Sequence, residues 1–187
     1  IRDFVAGKTA WLTKYMALVP EKIKFQYVTG EIHHVFGRAY PLQVCLGARD
    51  DAVVSTDGEL QLVLRTKQRE REKVFKAGMK RILLWEIEKQ LEIWTKRMAI
   101  PESRITGVTI RVMKSRWGSC RRVTGRFSFA LDLVTKPKDC IEAVVVHELC
   151  HLFAAGHGPD FYARMETYLP DYKERDRLLS SLPRELI

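Results

Sequence analysis

The sequence lacks the features of several classes of protein. None of its apolar runs approaches the ~20 residues that a membrane-spanning helix needs. No basic segment near the start is followed by an apolar run, so we predict no signal peptide, no membrane association and a cytoplasmic protein. Repeats and low-complexity linkers are also absent. At 187 residues, the sequence therefore fits one domain, or one domain with an appended segment.

Closely spaced cysteines are missing too. The four cysteines lie far apart and form no Cys-x-x-Cys pattern: Cys45, Cys120, Cys140 and Cys150. Disulfide frameworks are typical of small secreted chains, whereas these cysteines are widely separated and no signal peptide is predicted. We therefore expect reduced thiols, as in a cytosolic protein.

One apolar stretch carries an unusual set of polar residues. His147-Glu148-x-x-His151 lies between Val146 and Leu152, so we expect it on a buried helix. Residues four apart on a helix lie ~40° apart around the axis and ~6 Å along it, so the two histidines can bind one ion. Glu148 is rotated ~100° from His147, which lets its carboxylate reach a water beside the metal without being a ligand.

A third histidine follows at the point where this helix is expected to end. Ala154-Ala155-Gly156 lets the helix stop, with Gly156 as a left-handed C-cap, and His157 can then fold back toward the first two. His157 lies ten residues after His147, the interval of the third ligand in metzincins, although that pattern has glycine where Ala154 stands. Three histidines leave one tetrahedral position open for water, which is typical of a catalytic zinc site.

The alternative is that the pattern arose by chance and that its histidines are satisfied core residues. Buried polar groups without partners are costly, so two histidines and a glutamate on one buried helix favour the metal site. We predict one Zn²⁺ per chain.

The N-terminal part of the sequence predicts the β portion of an α+β fold. A short helix is expected before Pro20, and residues 23–64 alternate as an antiparallel β-meander of about four strands. Adjacent strand residues face opposite sides, so at most one of His33 and His34 could join a metal site. We expect both at the surface.

A long helix and a β-hairpin are predicted next. Apolar residues recur at helical spacing from Lys67 to Met98, with Gly78 as a point where the helix could split. Strands at 108–112 and 126–131 would form a hairpin whose turn holds Arg116–Cys120. The metal-binding helix, which Thr135 or Asp139 would cap, and two C-terminal helices then follow.

Three stretches, in this order, resemble those of a known family. They are Met113–Cys120, Val144–Leu152 and Leu169–Arg175, and they resemble the YgjP-like metallopeptidases, relatives of the SprT/Spartan proteases. The similarity spans about residues 22–179.

The resemblance implies a β-rich region at 1–66 and a minimal zincin-like metallopeptidase core at 67–187, packed as one compact unit. It also implies a peptide or protein substrate, zinc on the three histidines and Glu148 as the catalytic carboxylate. The site residues implied are His147, Glu148, His151 and His157.

The interpretation is zinc-dependent peptide hydrolysis by a monomer, with Glu148 as general base. The candidates for stabilising the oxyanion are Arg116, Tyr162 and Tyr168, which the sequence does not rank. An edge strand at 126–131 could align an extended substrate by backbone pairing.

The basic balance of the sequence suggests a second function. The net charge is +9, and seven basic residues between Lys67 and Arg81 face only Glu70 and Glu72. Such a segment is either a solvated helix face or a site for non-specific DNA contact. The alternative function is therefore a DNA-associated module of the SprT/Spartan type, in which proteolysis is restricted or absent.

Overall fold

The computed structural model describes residues 24–66 and 70–184. The helix expected before Pro20 and two cations of the basic segment, Lys67 and Arg69, lie outside these residues. The strand expected around Phe25 and Tyr27 is wrong, because this segment is irregular. Tyr27 has a φ of 54°, which a strand cannot accommodate.

The first sheet has four strands, as predicted. They are β1 (Ile32–Val35), β2 (Arg38–Leu46), β3 (Asp51–Val54) and β4 (Leu60–Leu64), in the order β1-β2-β4-β3. The antiparallel meander is wrong in one pairing, since the second half of β2 runs parallel to β4. β2 is longer than β1, so its second half extends past the β1–β2 hairpin and is free to pair elsewhere. Alternation of apolar residues identifies the buried face of a strand but not its neighbour.

A single long helix, α1 (Arg71–Arg97), follows and is not split at Gly78. A Cβ at position 78 would lie 2.6 Å from the Cβ of Ala52, so the glycine permits close approach to β3. Buried apolar side chains recur every three or four residues and form one stripe along the helix. They are Phe75, Met79, Leu83, Ile87, Leu91 and Trp94.

The second sheet differs from the predicted hairpin. It contains β5 (Gly107–Arg111), β6 (Gly118–Arg121) and β7 (Arg126–Ala130), in the order β5-β7-β6. The two strands that were expected to form the hairpin, β5 and β7, are parallel neighbours. The hairpin is β6–β7, and Gly118–Cys120, expected in a turn, forms a strand.

Three helices complete the described chain: α2 (Lys138–Cys150), α3 (Pro159–Tyr168) and α4 (Tyr172–Ser181). Pro137 precedes α2, and neither expected side-chain cap is present. α2 ends at Cys150 and not near Gly156, whose backbone lies outside the left-handed region. The amides of Leu152 and Phe153 bond to carbonyls three residues earlier, which tightens the chain and stops the helix sooner.

Both sheets and all four helices contribute to one hydrophobic cluster. α1 contacts both sheets and α2, and α2 is packed among α1, α3, α4 and β6. The α+β class is confirmed. None of the helices in residues 24–66 and 70–184 has the length and apolar character to cross a bilayer.

Candidate active site

Three histidine side chains meet where α2 ends. Each offers one ring nitrogen to the cluster, and these atoms lie within 4.8 Å of one another. The Nε2 atoms of His147 and His157 are 3.0 Å apart. With Zn–N distances of ~2.0–2.1 Å, nitrogens in a tetrahedral site lie ~3.3 Å apart, so this spacing fits a single ion.

The local chain path explains why the histidines converge. His147 lies in the last turn of α2, and His151 follows its last residue. The irregular segment 151–158 then reverses direction and delivers His157 before α3 begins at Pro159. The chain reversal that the sequence suggested is therefore present, although it starts earlier than Gly156.

Phe161 packs against all three histidine rings. Its ring centroid lies 4.8 Å from those of His147 and His151 and 4.7 Å from that of His157. The side chain is only 1% exposed, so the first turn of α3 forms an apolar support behind the cluster. This contact restricts the rotamers of the three rings.

The histidines are also suited electrostatically to a metal. Burial, with the charges of His151 and His157, lowers the pKa of His147 to about 4. Burial also lowers the pKa of His151. Neutral imidazole is the form that binds metals. Nδ1 of His151 lies 3.1 Å from the carbonyl oxygen of Ala154, the kind of outer partner that fixes the ring of a metal ligand.

Glu148 lies beside the cluster and is buried, with only 5% of the residue exposed. Burial raises the pKa of this carboxyl to about 8, while Arg116 and the backbone amide of Cys120 favour the charged form. Its Oε2 atom has no hydrogen-bond partner within the described residues. A buried carboxylate oxygen without a partner is costly, which indicates that a further group belongs at this position.

Strand β6 passes directly over Glu148. A Cβ at Gly118 would lie 2.6 Å from Oε1 of Glu148, so only glycine allows this approach. The edge strand expected at the site, 126–131, corresponds to β7, which lies in the centre of the sheet. The strand at the site is β6.

The cluster and Glu148 line a cleft of about 600 Å³. Arg116 and Tyr162 also line it, and the Tyr162 ring lies 6.4 Å from that of His157. Tyr168 does not line this cleft and packs against the core instead, so the structure does not bring it to the site. Sequence reasoning missed Tyr172, which lines the cleft and stacks on Tyr162 at 6.3 Å. The available signal was its position in Leu169–Arg175, one of the stretches that carry the family resemblance.

α2 is held in place by a polar network. Arg175 of α4 forms ion pairs with Glu142 at 2.5 Å and with Asp171 at 2.8 Å. Glu142 also accepts a hydrogen bond of 3.0 Å from Nε1 of Trp94 in α1. These contacts fix the helix that carries His147 and Glu148 between two others.

The other candidate metal ligands do not join the histidine cluster. His33 is buried, contrary to the surface expectation, and its Nε2 lies 2.9 Å from Oε2 of Glu31.

All four cysteines are unpaired, as predicted. Cys120 lines the cleft, and burial, with the nearby charge of Glu148, raises the pKa of its thiol to about 11.

Several cations of the basic segment have acidic partners. Lys73 pairs with Glu70 at 3.7 Å, and Lys76 pairs with Glu72 at 2.5 Å. Arg81 pairs at 2.7 Å with Asp51 of β3. Much of the local positive charge is therefore compensated.

Comparison with known proteins identifies a family. The model of a family described as "YgjP-like, metallopeptidase domain" matches residues 1–182. No curated protein matches the chain.

Two solved structures are similar over about half of the chain. The metallopeptidase zymogen abylysin of Pyrococcus abyssi is 22% identical, with a TM-score of 0.46, covering 54% of this chain and 99% of abylysin. The metallopeptidase zymogen jannalysin of Methanocaldococcus jannaschii is 20% identical, with a TM-score of 0.44, covering 50% of this chain and 93% of jannalysin.

Proposed function

The chain belongs to the YgjP-like metallopeptidase family, and we propose that it hydrolyses peptide bonds with one zinc ion bound by His147, His151 and His157. The observation that carries this proposal is the shared cleft, where three histidine nitrogens lie within 4.8 Å of one another beside the buried Glu148. The orphaned Oε2 atom of Glu148 supports the same conclusion.

The donor set favours zinc as the metal. Three imidazoles with one open position are a frequent ligand set of catalytic zinc, whereas Mg²⁺ and Ca²⁺ prefer oxygen ligands. When bound, zinc supplies a Lewis acid that polarises a carbonyl and lowers the pKa of water from 15.7 toward ~7.

Glu148 is the general base in this proposal. Its carboxylate accepts a proton from the attacking water and passes the proton to the leaving amine. Arg116 and the Cys120 amide favour the ionised form that this role requires. Gly118 leaves the space in which the carboxylate lies.

Arg116 and Tyr162 remain the candidates for stabilising the oxyanion, since both line the cleft. Strand β6 has a neighbour on one side only among the described strands. We therefore propose β6, and not β7, as the strand that aligns an extended peptide by backbone pairing.

The decisive experiment compares zinc content and cleavage of an unfolded protein substrate between wild type and Glu148→Gln. Glutamine has nearly the same shape but cannot relay the proton, so we expect about one zinc in both proteins and a ~10²–10⁴-fold loss of cleavage. Glu166→Gln, an exposed position on α3, is the matched control and should cleave like wild type. Equal cleavage by wild type and Glu148→Gln would contradict the assignment of the base.

Other parts of the sequence-based interpretation stay proposals. Four unpaired thiols support a cytoplasmic protein. A monomer remains the expectation. The DNA-associated alternative depends on the segment Lys67–Arg81, where ion pairs with Glu70, Glu72 and Asp51 reduce the charge available for phosphates.

A further inference from the structure

The outer face of the second sheet forms a groove of about 750 Å³. Its floor comes from residues paired in register, Ser119 with Ser128 and Arg121 with Arg126, whose side chains share one face. Oγ1 of Thr109 lies 3.2 Å from Oγ of Ser128, which places β5 in the same floor. The opposite face holds the buried side chains of β7.

The groove is strongly basic. Five exposed cations line it, and Asp and Glu are absent from its lining among residues 24–66 and 70–184. None of the five forms an ion pair with a carboxylate in the part of the chain that the structure describes. They are Arg111, Lys114, Arg116, Arg121 and Arg126.

The pairing of Arg121 with Arg126 does not favour folding. Like charges directly opposite on neighbouring strands are destabilising. Cations elsewhere in the chain, such as Arg81 and Lys138, pair with acids at 2.7 and 2.8 Å. Because the described residues supply no acid in the groove, an external anion is the group that would offset this repulsion.

The groove continues into the catalytic cleft. Both cavities are lined by Arg116, Ser119 and Cys120, so the groove and the cleft meet at β6 and the residues just before it. A peptide that lies across Glu148 and extends past β6 would place its next side chains over the groove.

We propose that this groove binds acidic side chains of the substrate, so that the enzyme prefers peptide bonds flanked by a run of Asp and Glu. The proposal rests on the peptidase function proposed above and names the substrate class of that site. It assigns substrate selectivity to Arg111, Arg121 and Arg126, which lie outside the metal cluster.

Two observations favour an acidic peptide over nucleic acid. Among the residues that the structure describes, the groove lining contains no aromatic side chain on which a base could stack. Its volume of about 750 Å³ lies within the ~300–1,000 Å³ range of small-ligand pockets, which suits a few side chains better than a duplex.

The test uses two labelled peptides that differ only in one flanking run, three glutamates in one and three glutamines in the other. Binding is measured by fluorescence anisotropy with zinc-loaded Glu148→Gln protein. The kcat/KM for cleavage is measured with zinc-loaded protein that keeps Glu148. We expect about tenfold tighter binding of the acidic peptide at low salt, and a preference that fades as salt screens the charges.

Adding Arg121→Ala and Arg126→Ala to each protein should remove most of the preference in both binding and cleavage. The matched control is Arg49→Ala with Lys80→Ala, two exposed cations outside the groove, which should retain it. Circular dichroism checks that both double variants are folded.

Each outcome separates the two proposals. Cleavage of both peptides at equal rates, with equal affinity, would overturn the groove assignment and leave the peptidase function intact. Preferential binding of the acidic peptide without cleavage of either would retain the groove and contradict the peptidase function. Duplex DNA that displaces the acidic peptide, and loses this ability in Arg121→Ala/Arg126→Ala, would instead assign the groove to a polyphosphate.

Discussion

The two sheets of this molecule both mix parallel and antiparallel pairings, but they differ in how completely their polar side chains are paired. The first sheet contains one parallel and two antiparallel pairings, the second contains one of each, and both contribute to the same hydrophobic cluster. In and beside the first sheet, polar groups are matched: the buried His33 with Glu31 at 2.9 Å, and the partly buried Asp51 with Arg81 at 2.7 Å. The first sheet therefore satisfies its own polar groups as the chain folds.

The second sheet leaves polar groups unmatched. Arg121 faces Arg126, and β6 lies over Glu148, one of whose oxygens has no partner within the described residues. An unmatched polar group lowers stability, and at this sheet the unmatched groups line the cleft and the groove, where a ligand could complete them. The difference separates a region whose polar groups pair with one another from a region whose polar groups remain available to a ligand.

Two buried glutamates show the same contrast. Glu86 of α1 is 1% exposed, pairs with Lys138 at 2.8 Å and accepts a hydrogen bond of 3.0 Å from Gln90. Glu148 is nearly as buried at 5% but keeps one oxygen for the cleft. Burial alone therefore does not distinguish the two carboxylates; the difference is that Glu86 has an ion pair, whereas Oε2 of Glu148 has no hydrogen-bond partner within the described residues.

Replacing one histidine of the first sheet and one of the cleft beside the second sheet gives the largest expected difference. In His157→Ala, zinc affinity should fall by more than the ~10–100-fold typical of losing an outer partner, while the fold is kept because this side chain is exposed. In His33→Ala, zinc binding should be unchanged, but the free energy of unfolding should fall by about 2–4 kcal/mol because a buried ring is removed.

Isothermal titration with zinc and urea denaturation measure these two effects. Wild-type zinc affinity in His157→Ala would mean that another residue is the third ligand. Loss of zinc in His33→Ala would erase the distinction between the two sheets.

Two glycines test the contrast at smaller scale. Gly118→Ala would press its Cβ against Glu148, and a carboxylate displaced by ~1 Å can cost about 10²-fold in rate. Gly78→Ala would press against Ala52 of the first sheet and should cost about 1–3 kcal/mol of stability with kcat/KM unchanged.

Zinc content, thermal unfolding and kcat/KM should be measured together for both glycine variants. We expect Gly118→Ala to retain zinc and lose rate. Wild-type kcat/KM in Gly118→Ala would contradict the role of β6 in positioning Glu148.

DNA binding by the basic segment is the smallest expected effect. Lysine and arginine that contact phosphates release counterions, so any affinity should be weak, independent of sequence and steeply dependent on salt. Reversing Lys73, Lys76, Lys80 and Arg81 should flatten the salt dependence measured by anisotropy with a generic duplex. An unchanged slope would place DNA binding elsewhere, and no binding at low salt would remove this alternative.

Much of the fold was readable from the sequence because its signals are local. The spacing of apolar residues predicted α1, and turn residues such as Asp57-Gly58 separated the strands of the first sheet. Strand partners were not readable, since the parallel pairings β2–β4 and β5–β7 join segments far apart in the sequence.

The same distinction applies to the site. His147, Glu148 and His151 form a local pattern, and the short interval to His157 allowed the third histidine to be predicted. Tyr172 was missed because only the packing of the helices brings it to the cleft. The groove was missed because its cations come from separate strands and a loop. Only the pairing of β5, β6 and β7 brings Arg111, Arg121 and Arg126 to one face.

The contact of Phe161 with three histidine rings has a consequence for the exchange of backbone hydrogens. Phe161 is anchored in the first turn of α3, so any ligand that immobilises the rings also holds this helix against its neighbours. The free energy of local unfolding of 159–168 then includes the free energy of releasing that ligand. Amide protons of α3 should exchange more slowly in zinc-loaded protein than in chelator-treated protein, whereas those of β1, in the first sheet, should exchange at the same rate in both.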